Sequence, residues 1–331
     1  MGTRGNNVIL DGAAGGFVLA GQERRRAGGK SAGMSAPSPA LPYVVGAFQH
    51  VLDPPGQRAA REQRPEEQWY INDHCFVAGP DGRLHWFGIT NPYPADRNLY
   101  GPGSHRHLGH ASAPAPFGPW EEHPHVVALP EGTADNIGAS FAIRQGEDYY
   151  LFAGYSGGLS TSRSRDLFAW ERPMTPGPQL GGSMRDPCIV ELDDGTCLLY
   201  VCMGEGGYSV VGLAESADLV TWQPLPPALL TDVAVSWGAL ESPFVHRRGD
   251  LYYLFLNHSH RQYSETLVFA SADPRHFDWE RPLTTLFTHA GEIFTREGRT
   301  YLSHCGIEDR HWSDTGAPYG LWLAELGWAE P

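Results

Sequence analysis

The feature that most restricts the fold of this chain is an internal repeat. Four tryptophans close successive copies and lie 50, 52 and 57 residues apart, namely Trp120, Trp170, Trp222 and Trp279. A fifth copy begins at Gly291. Several short strands in each unit of a fixed period are typical of the blades of a β-propeller. The sequence therefore predicts an all-β fold, a five-bladed β-propeller.

Each copy shows the same order of local patterns. A short apolar strand is followed by a turn with glycine, such as Asp194-Gly195, and then by an aromatic-rich strand. Apolar and polar residues alternate, and the period of an amphipathic helix is absent. The last copy has only three strands of its own. We expect residues 43–52 to supply or cover its missing outer strand, because an open sheet edge promotes aggregation.

The net charge of the chain restricts the kinds of molecule that it can bind. The chain has 24 Lys and Arg against 38 Asp and Glu, which gives a formal net charge of −14. Nucleic-acid binding needs a cationic surface that displaces counterions from phosphate, so no nucleic-acid partner is expected. No run of about 18 apolar residues occurs, so no membrane-spanning segment is expected either.

The first 40 residues differ in composition from the rest of the chain. Residues 1–40 are rich in Gly, Ala, Ser and Pro and are interpreted as a flexible N-terminal leader, whereas residues 41–331 are predicted to form a single catalytic propeller domain. The five cysteines include no C-x-x-C pair, and the short apolar run near the N-terminus precedes its arginines, the reverse of a signal peptide. A cytoplasmic location is therefore expected, and the oligomeric state stays open.

Three acidic residues open the innermost strands of three different blades: Asp73, Asp186 and Glu241. The first strand of each propeller blade lines the central channel, so we expect these side chains to meet at one rim. Converging carboxylates repel each other and are costly to desolvate, so their repetition indicates a function rather than turn capping. Glycoside cleavage requires such a set. One carboxylic acid protonates the leaving oxygen, a second carboxylate attacks or activates water, and a third can stabilise the developing charge.

Three short motifs, in this order, resemble those of a known group of enzymes. The motifs W-x-x-N-D, R-D-P and E-S-P fall on blades one, three and four, and are formed by Trp69, Asn72 and Asp73, by Arg185, Asp186 and Pro187, and by Glu241, Ser242 and Pro243. The set looks like the five-bladed propeller furanosidases. These are glycoside hydrolase families 32 and 68, which include invertases and levansucrases, and the related family 43, which includes arabinanases and xylosidases. The resemblance covers about residues 43–326.

The resemblance implies a role for each motif residue. Asp73 would be the nucleophile, as in family 32, or the general base, as in family 43. Glu241 would be the general acid. Asp186 would stabilise the transition state or orient the acid, and Arg185 would pair with sugar hydroxyls or a carboxylate. Family 32 usually continues N-D-P-N-G, whereas His74 follows the aspartate here.

Further side chains are candidates for binding the sugar, because aromatic rings stack on apolar sugar faces and rim loops present polar groups. The candidates are Asn72, Arg185, Trp69, Trp237, His258 and Trp312. No cofactor is expected. Some family 43 members hold a calcium ion in the channel through a blade-five histidine, and the nearest counterparts here are His289 and His304. A cation at that place would be structural or electrostatic.

These observations predict a glycoside hydrolase that cleaves furanosides of the fructofuranoside or arabinofuranoside type. Two alternatives stay open. One is a transglycosylase or tailoring enzyme that uses the same carboxylates, and the other is a propeller that binds glycans without cleaving them. In each case the expected partner is a small molecule or an oligosaccharide.

Overall fold

The chain forms five antiparallel sheets of four strands each, arranged as a five-bladed β-propeller. The computed structural model describes residues 38–93, 101–155, 158–172, 174–236, 239–259, 261–305 and 319–330. This architecture confirms the predicted all-β fold and the number of blades. The one helix in these ranges, α1 (Gln57–Gln63), connects the first strand to blade one. Within the same ranges no helix is long and apolar enough to cross a membrane.

Each blade runs from an innermost strand at the channel to an outermost strand at the periphery. Blades one and two consist of β2 (Trp69–Ala78), β3 (Leu84–Pro92), β4 (His107–Ala113) and β5 (Glu121–Ala128), and of β6 (Ile137–Gln145), β7 (Asp148–Tyr155), β8 (Gly158–Ser164) and β9 (Thr175–Pro176). Blades three and four consist of β10 (Met184–Glu191), β11 (Cys197–Glu205), β12 (Tyr208–Ser216) and β13 (Gln223–Ala234), and of β14 (Glu241–Arg248), β15 (Leu251–Asn257), β16 (Glu265–Ser271) and β17 (Thr284–Phe287). Blade five consists of β18 (Ile293–Arg296), β19 (Arg299–His304), β20 (Leu321–Ala329) and β1 (Leu41–Leu52).

Blade five joins the two ends of the domain. β1 runs antiparallel to β20 and places Leu41 opposite Ala329 and Val44 opposite Leu326. Residues 43–52 therefore supply the outer strand of blade five, as the sequence predicts. Because of this pairing, β20 is hydrogen-bonded on both sides and its edge is not open to other chains.

The turns that precede two of the blade-closing tryptophans share one local arrangement. The Asp166 carboxylate accepts hydrogen bonds from the backbone N–H groups of Phe168 and Ala169, both at 2.8 Å. Leu167 takes a left-handed φ of 70°, and its carbonyl accepts the indole N–H of Trp170 at 3.0 Å. Blade three repeats the arrangement with Asp218, Leu219 and Trp222. These tryptophans therefore fix the outer ends of the blades rather than the channel.

Four of the five innermost strands contain a bulge close to their first residues. In β2, the three-residue step from Ile71 to His74 faces the two-residue step from Thr90 to Gly88. Blades two, three and four have the same irregularity at Ile137–Ser140, Arg185–Cys188 and Glu241–Phe244. A bulge leaves one residue unpaired, bends its strand and redirects a side chain. The sequence therefore builds a repeated irregularity at one end of the channel.

Histidines buried between and within the blades are neutral in the folded protein. His110 is stacked on Phe87 with ring centroids 4.5 Å apart, and its Nε2 lies 2.9 Å from Nδ1 of His85. Burial lowers the pKa of several histidines, to about 4 for His74, His105, His107 and His246, to about 3 for His304 and to about 2 for His110. These groups bind protons in the unfolded chain below about pH 6.5 but not in the folded chain.

The free energy of unfolding should therefore be highest above about pH 6.5 and should fall as the pH is lowered from about 6.5 towards 4. Each such histidine contributes a slope of about 1.4 kcal/mol per pH unit in that window. Urea unfolding at pH 8, 6, 5 and 4.5 measures the slope, and the His110→Gln variant should reduce it by about one such increment. An unchanged slope in the variant would show that His110 does not titrate between the two states.

Candidate active site

The bulges bring one carboxylate from each of three blades to the same end of the channel. Glu241 is the last residue before the bulge of β14, Asp186 is the first bulged residue of β10, and Asp73 is the second bulged residue of β2. The sequence pattern suggests one equivalent position, but the strand register separates the three by one residue each. Successive residues of a strand point to opposite faces, so the bulges are needed to aim all three inward.

Ser242 connects two of the carboxylates. Its backbone N–H donates to Oδ2 of Asp186 at 3.0 Å, and its hydroxyl donates to Oδ1 of Asp73 at 2.6 Å. Ser242 directly follows Glu241 and has a left-handed φ of 49°. Residues other than glycine rarely adopt this conformation, which costs free energy and persists where the surroundings impose it. Here it places blade four in contact with blades one and three.

Arg185 supplies positive charge between Asp186 and Glu241. Its Nη1 lies 2.5 Å from Oδ2 of Asp186 and 3.4 Å from Oε1 of Glu241. Its Nη2 donates to the carbonyl of Leu240 at 2.6 Å. The side chain is only 19% exposed, so its charge acts on both acids with little screening by solvent. The guanidinium therefore offsets part of the repulsion among the carboxylates.

Glu241 is held on its other side by blade four. Its Oε2 accepts a hydrogen bond from the hydroxyl of Ser259, and the side chain is 11% exposed. Asn257 is paired with Glu241 in the β14–β15 register. The Asn257 amide donates to the carbonyl of Thr288 at 3.0 Å and accepts from the N–H of Ala290 at 3.0 Å. This amide fixes the start of blade five against the acid.

The three carboxyl groups differ in environment. Burial raises the pKa of Asp186 to about 7, and the charges of Asp73 and Glu241 add to the effect, while Arg185 opposes it. The pKa of Arg185 is raised by its carboxylate neighbours, so the guanidinium stays charged. Asp73 is half-buried and the most accessible of the three. A site with accessible and buried carboxyls can hold one proton among them and still keep a charged oxygen available.

Asn72 lies beside the site, at the first bulged residue of β2. It is buried, and its Oδ1 lies 3.7 Å from the thiol of Cys305 in blade five, from which it accepts a weak hydrogen bond. The Asn72 carbonyl lies 3.0 Å from Nδ1 of His74. The predicted binding residues Asn72 and Arg185 thus lie next to the carboxylates.

A cavity of about 320 Å³ opens next to Arg185. Its walls combine serines with apolar groups and are formed by residues that include Ser183, Met203, Ser209, Val235 and Leu240. Mixed walls of this kind suit a ligand with both hydroxyl groups and apolar faces. The cavity extends the site over blade three.

Two predicted binding residues contact other parts of the molecule. The indole N–H of Trp69 donates to Glu67 at 2.7 Å, and its ring stacks on His107 with centroids 5.2 Å apart, so the ring packs across the outer strands of blade one beside α1. His258 lies in the turn after β15, and its ring centroid is 6.1 Å from that of Trp279. Trp237 and Trp312 lie outside the described residues.

His289 and His304 are neighbours in blade five. The backbone N–H of His289 donates to Nδ1 of His304 at 2.8 Å, and Nδ1 of His289 lies 2.8 Å from the carbonyl of Tyr263. The His289 ring stacks on Tyr263 with centroids 3.7 Å apart. Protein groups thus occupy one nitrogen of each imidazole. In the ranges that the structure describes, no three His, Cys, Asp or Glu side chains are grouped so as to hold a metal ion.

The sequence did not predict that the hydroxyl groups of Ser242 and Ser259 donate hydrogen bonds to the carboxylates. In the sequence, Ser242 is the middle residue of the E-S-P motif, and Ser259 belongs to none of the three motifs. Their hydroxyls meet the acids because a bulge and a turn re-aim them, which no local pattern reveals. The one available signal was that Ser242 follows Glu241 at the repeated start of an innermost strand.

Comparison with solved structures finds the same overall fold in other proteins. No protein-family model matches the chain. No curated protein matches it either. Among solved structures, a family 32 β-fructofuranosidase from Bombyx mori shares 16% identity at a TM-score of 0.53, and the match covers 82% of this chain and 66% of that chain.

Two further solved structures extend this comparison. An exo-1,5-α-L-arabinanase from a bovine ruminal metagenomic library shares 14% identity at a TM-score of 0.53, with 77% of this chain and 93% of that chain covered. A structure described as a glycoside hydrolase shares 12% identity at a TM-score of 0.58, with 83% and 96% covered. The protein therefore has the five-bladed propeller fold that these fructofuranosidase and arabinanase structures share.

Proposed function

We propose that this protein is a glycoside hydrolase that cleaves furanosides through Asp73, Asp186 and Glu241. The observation that carries the proposal is that three blades each contribute a carboxylate to one cluster, joined through Ser242 and Arg185. The chemistry of glycoside cleavage needs such a set of carboxyl groups around one sugar. The shared fold with fructofuranosidase and arabinanase structures supports the same reaction class.

Asp73 is assigned to the nucleophile or general base. It is the most accessible carboxylate of the cluster, so a sugar or a water can reach it. The hydroxyl of Ser242 donates to one of its oxygens and so fixes the orientation of the carboxyl group. The anomeric configuration of the first product, followed by NMR, distinguishes a covalent intermediate with retention from direct attack of water with inversion.

Glu241 is assigned to the general acid and Asp186 to transition-state stabilisation. Glu241 contacts Arg185, and Arg185 lines the cavity described above. That cavity has room for a leaving group. Asp186 lies deeper, held by Arg185 and the Ser242 N–H, where a fixed charge can stabilise an oxocarbenium-like centre. Among the described residues, three carboxylates lie beside one arginine, and this negative balance favours a neutral sugar over a phosphorylated one.

The Asp73→Asn and Glu241→Gln variants should each lower kcat on aryl furanosides by about 10²–10⁴-fold, because each removes a proton-transfer or nucleophilic group. A panel of aryl α- and β-furanosides and pyranosides with wild type and both variants measures this. Asp250→Asn, an exposed aspartate in the blade-four hairpin, is the matched control and should keep wild-type kcat. Turnover of no furanoside by the wild type, or equal turnover by both variants, would refute the proposed function.

The dependence of kcat/KM on pH should report the raised pKa of Asp186. Since this carboxyl is protonated below about pH 7 and must be charged to stabilise the transition state, kcat/KM should rise as the pH passes upward through about 7. Arg185→Met removes the cation that holds this pKa down, so the acid limb should move to higher pH. An acid limb at the same pH in wild type and Arg185→Met would contradict the assignment.

A further inference from the structure

Blade five contributes a fourth carboxyl group to the channel. In blades one to four, the residue that directly follows the bulge of the innermost strand is His74, Ser140, Cys188 or Phe244, and the equivalent residue in blade five is Glu292, directly before β18. In blade five this register is marked by two backbone hydrogen bonds, from Cys305 to His289 at 3.4 Å and from Ser303 to Glu292 at 3.0 Å. In the other four blades the residue is at most 7% exposed, whereas Glu292 keeps part of its surface open.

The backbone of Glu292 is fixed from both sides. Its N–H donates to the hydroxyl of Ser303 at 2.9 Å, and its carbonyl accepts the N–H of the same residue at 3.0 Å. The Ser303 hydroxyl also lies 2.7 Å from Nε2 of His74, which joins this position to blade one. The backbone position of Glu292 is therefore fixed by hydrogen bonds.

Glu292 directly precedes β18, the innermost strand of blade five, so the residue lies at the channel, and Ser303 connects it to His74, the residue after Asp73. Burial raises the pKa of Glu292, and the charge of Asp73 adds to this effect. Burial also raises the pKa of Cys75 in blade one and of Cys188 in blade three, and an ionised Glu292 would add to both shifts. Among the described residues none donates a hydrogen bond to the Glu292 carboxyl oxygens, in contrast to Asp73, Asp186 and Glu241, each of which has a donor.

A mostly enclosed carboxyl without a donor destabilises the folded chain, so its place calls for a reason outside folding. We propose that Glu292 is a substrate-binding residue, whose carboxyl group forms the deep wall of the sugar pocket beside Asp73 and hydrogen-bonds a ring hydroxyl of the furanoside. This inference rests on the proposed function and adds a residue to its site. Burial and the charge of Asp73 keep the Glu292 pKa well above its usual range, which favours the protonated carboxyl, a group that can both donate to and accept from a hydroxyl.

The experiment compares three variants on a furanoside and on analogues that each lack one ring hydroxyl. Glu292→Leu should lower kcat/KM on the full substrate by about 10-fold or more, because a buried hydroxyl loses its partner. Glu292→Gln keeps a donor and an acceptor and should recover most of that loss. Glu297→Gln, an exposed glutamate at the far end of β18, is the matched control and should match the wild type.

Two readouts separate substrate binding from a structural role. First, one deoxy analogue should be a poorer substrate for the wild type but should cause no additional loss in Glu292→Leu, since both changes remove the same hydrogen bond. Second, Glu292→Gln should raise the free energy of unfolding at pH 8 more than at pH 5, because the raised pKa makes ionisation of this carboxyl costly only at the higher pH. The charged or titratable groups that face it are Asp73, Cys75 and Cys188.

The outcomes keep the two proposals apart. If the wild type cleaves a furanoside and Glu292→Leu cleaves it equally well, the inference about Glu292 is wrong and the proposed function stands. The inference is also wrong if Glu292→Leu loses stability and its effect adds to that of every deoxy analogue, since Glu292 would then be structural. If the wild type cleaves no furanoside, the proposed function fails and the inference fails with it.

Discussion

The whole site depends on one repeated distortion, the bulge near the start of the innermost strand in blades one to four and the equivalent irregularity just before β18 in blade five. Without it, side chains would alternate strictly between faces, and the three acids, which come from three successive register positions, could not all point to the channel. The distortion forces Asp186, Ser242 and Ala290 into the left-handed region, with φ of 59°, 49° and 48°. That strain is sustained because every affected residue is hydrogen-bonded or packed between two blades.

Charge is the second constraint on the site. Among the residues that the structure describes, one buried guanidinium, that of Arg185, lies among the carboxylates, where it contacts Asp186, Glu241 and the carbonyl of Leu240. Asp73 relies on the hydroxyl of Ser242 instead. Because the described carboxylates outnumber the described cations, this part of the site carries net negative charge, at the point where the proposed reaction would develop positive charge on a sugar. Bringing these like charges together lowers the stability of the folded protein. The same negative charges can stabilise a positive charge that develops beside them.

The sequence was sufficient to predict the propeller, its five blades and the source of the fifth outer strand, because repeated strands and turns are local patterns. It also predicted that Asp73, Asp186 and Glu241 converge. It did not predict their stepwise register, since a bulge leaves no clear mark in the alternation of side chains. Trp69 carries a ring suited to sugar stacking, yet Glu67 and His107 hold that ring across the outer strands. Glu292 stands at the start of the fifth copy in the sequence, but its connection to His74 through Ser303 joins distant parts of the chain and leaves no local pattern.

The pairing of β1 with β20 also determines when the molecule can finish folding. The two strands are separated by nearly the whole domain, so their contact closes the longest loop in the chain and carries the largest closure entropy. During synthesis β1 emerges long before β20 has been made. Four blades can therefore assemble before β1 pairs with β20 and closes the ring. Protection of the β1 amides from hydrogen exchange should therefore mark the final step of folding, after the channel residues of the middle blades are already in place.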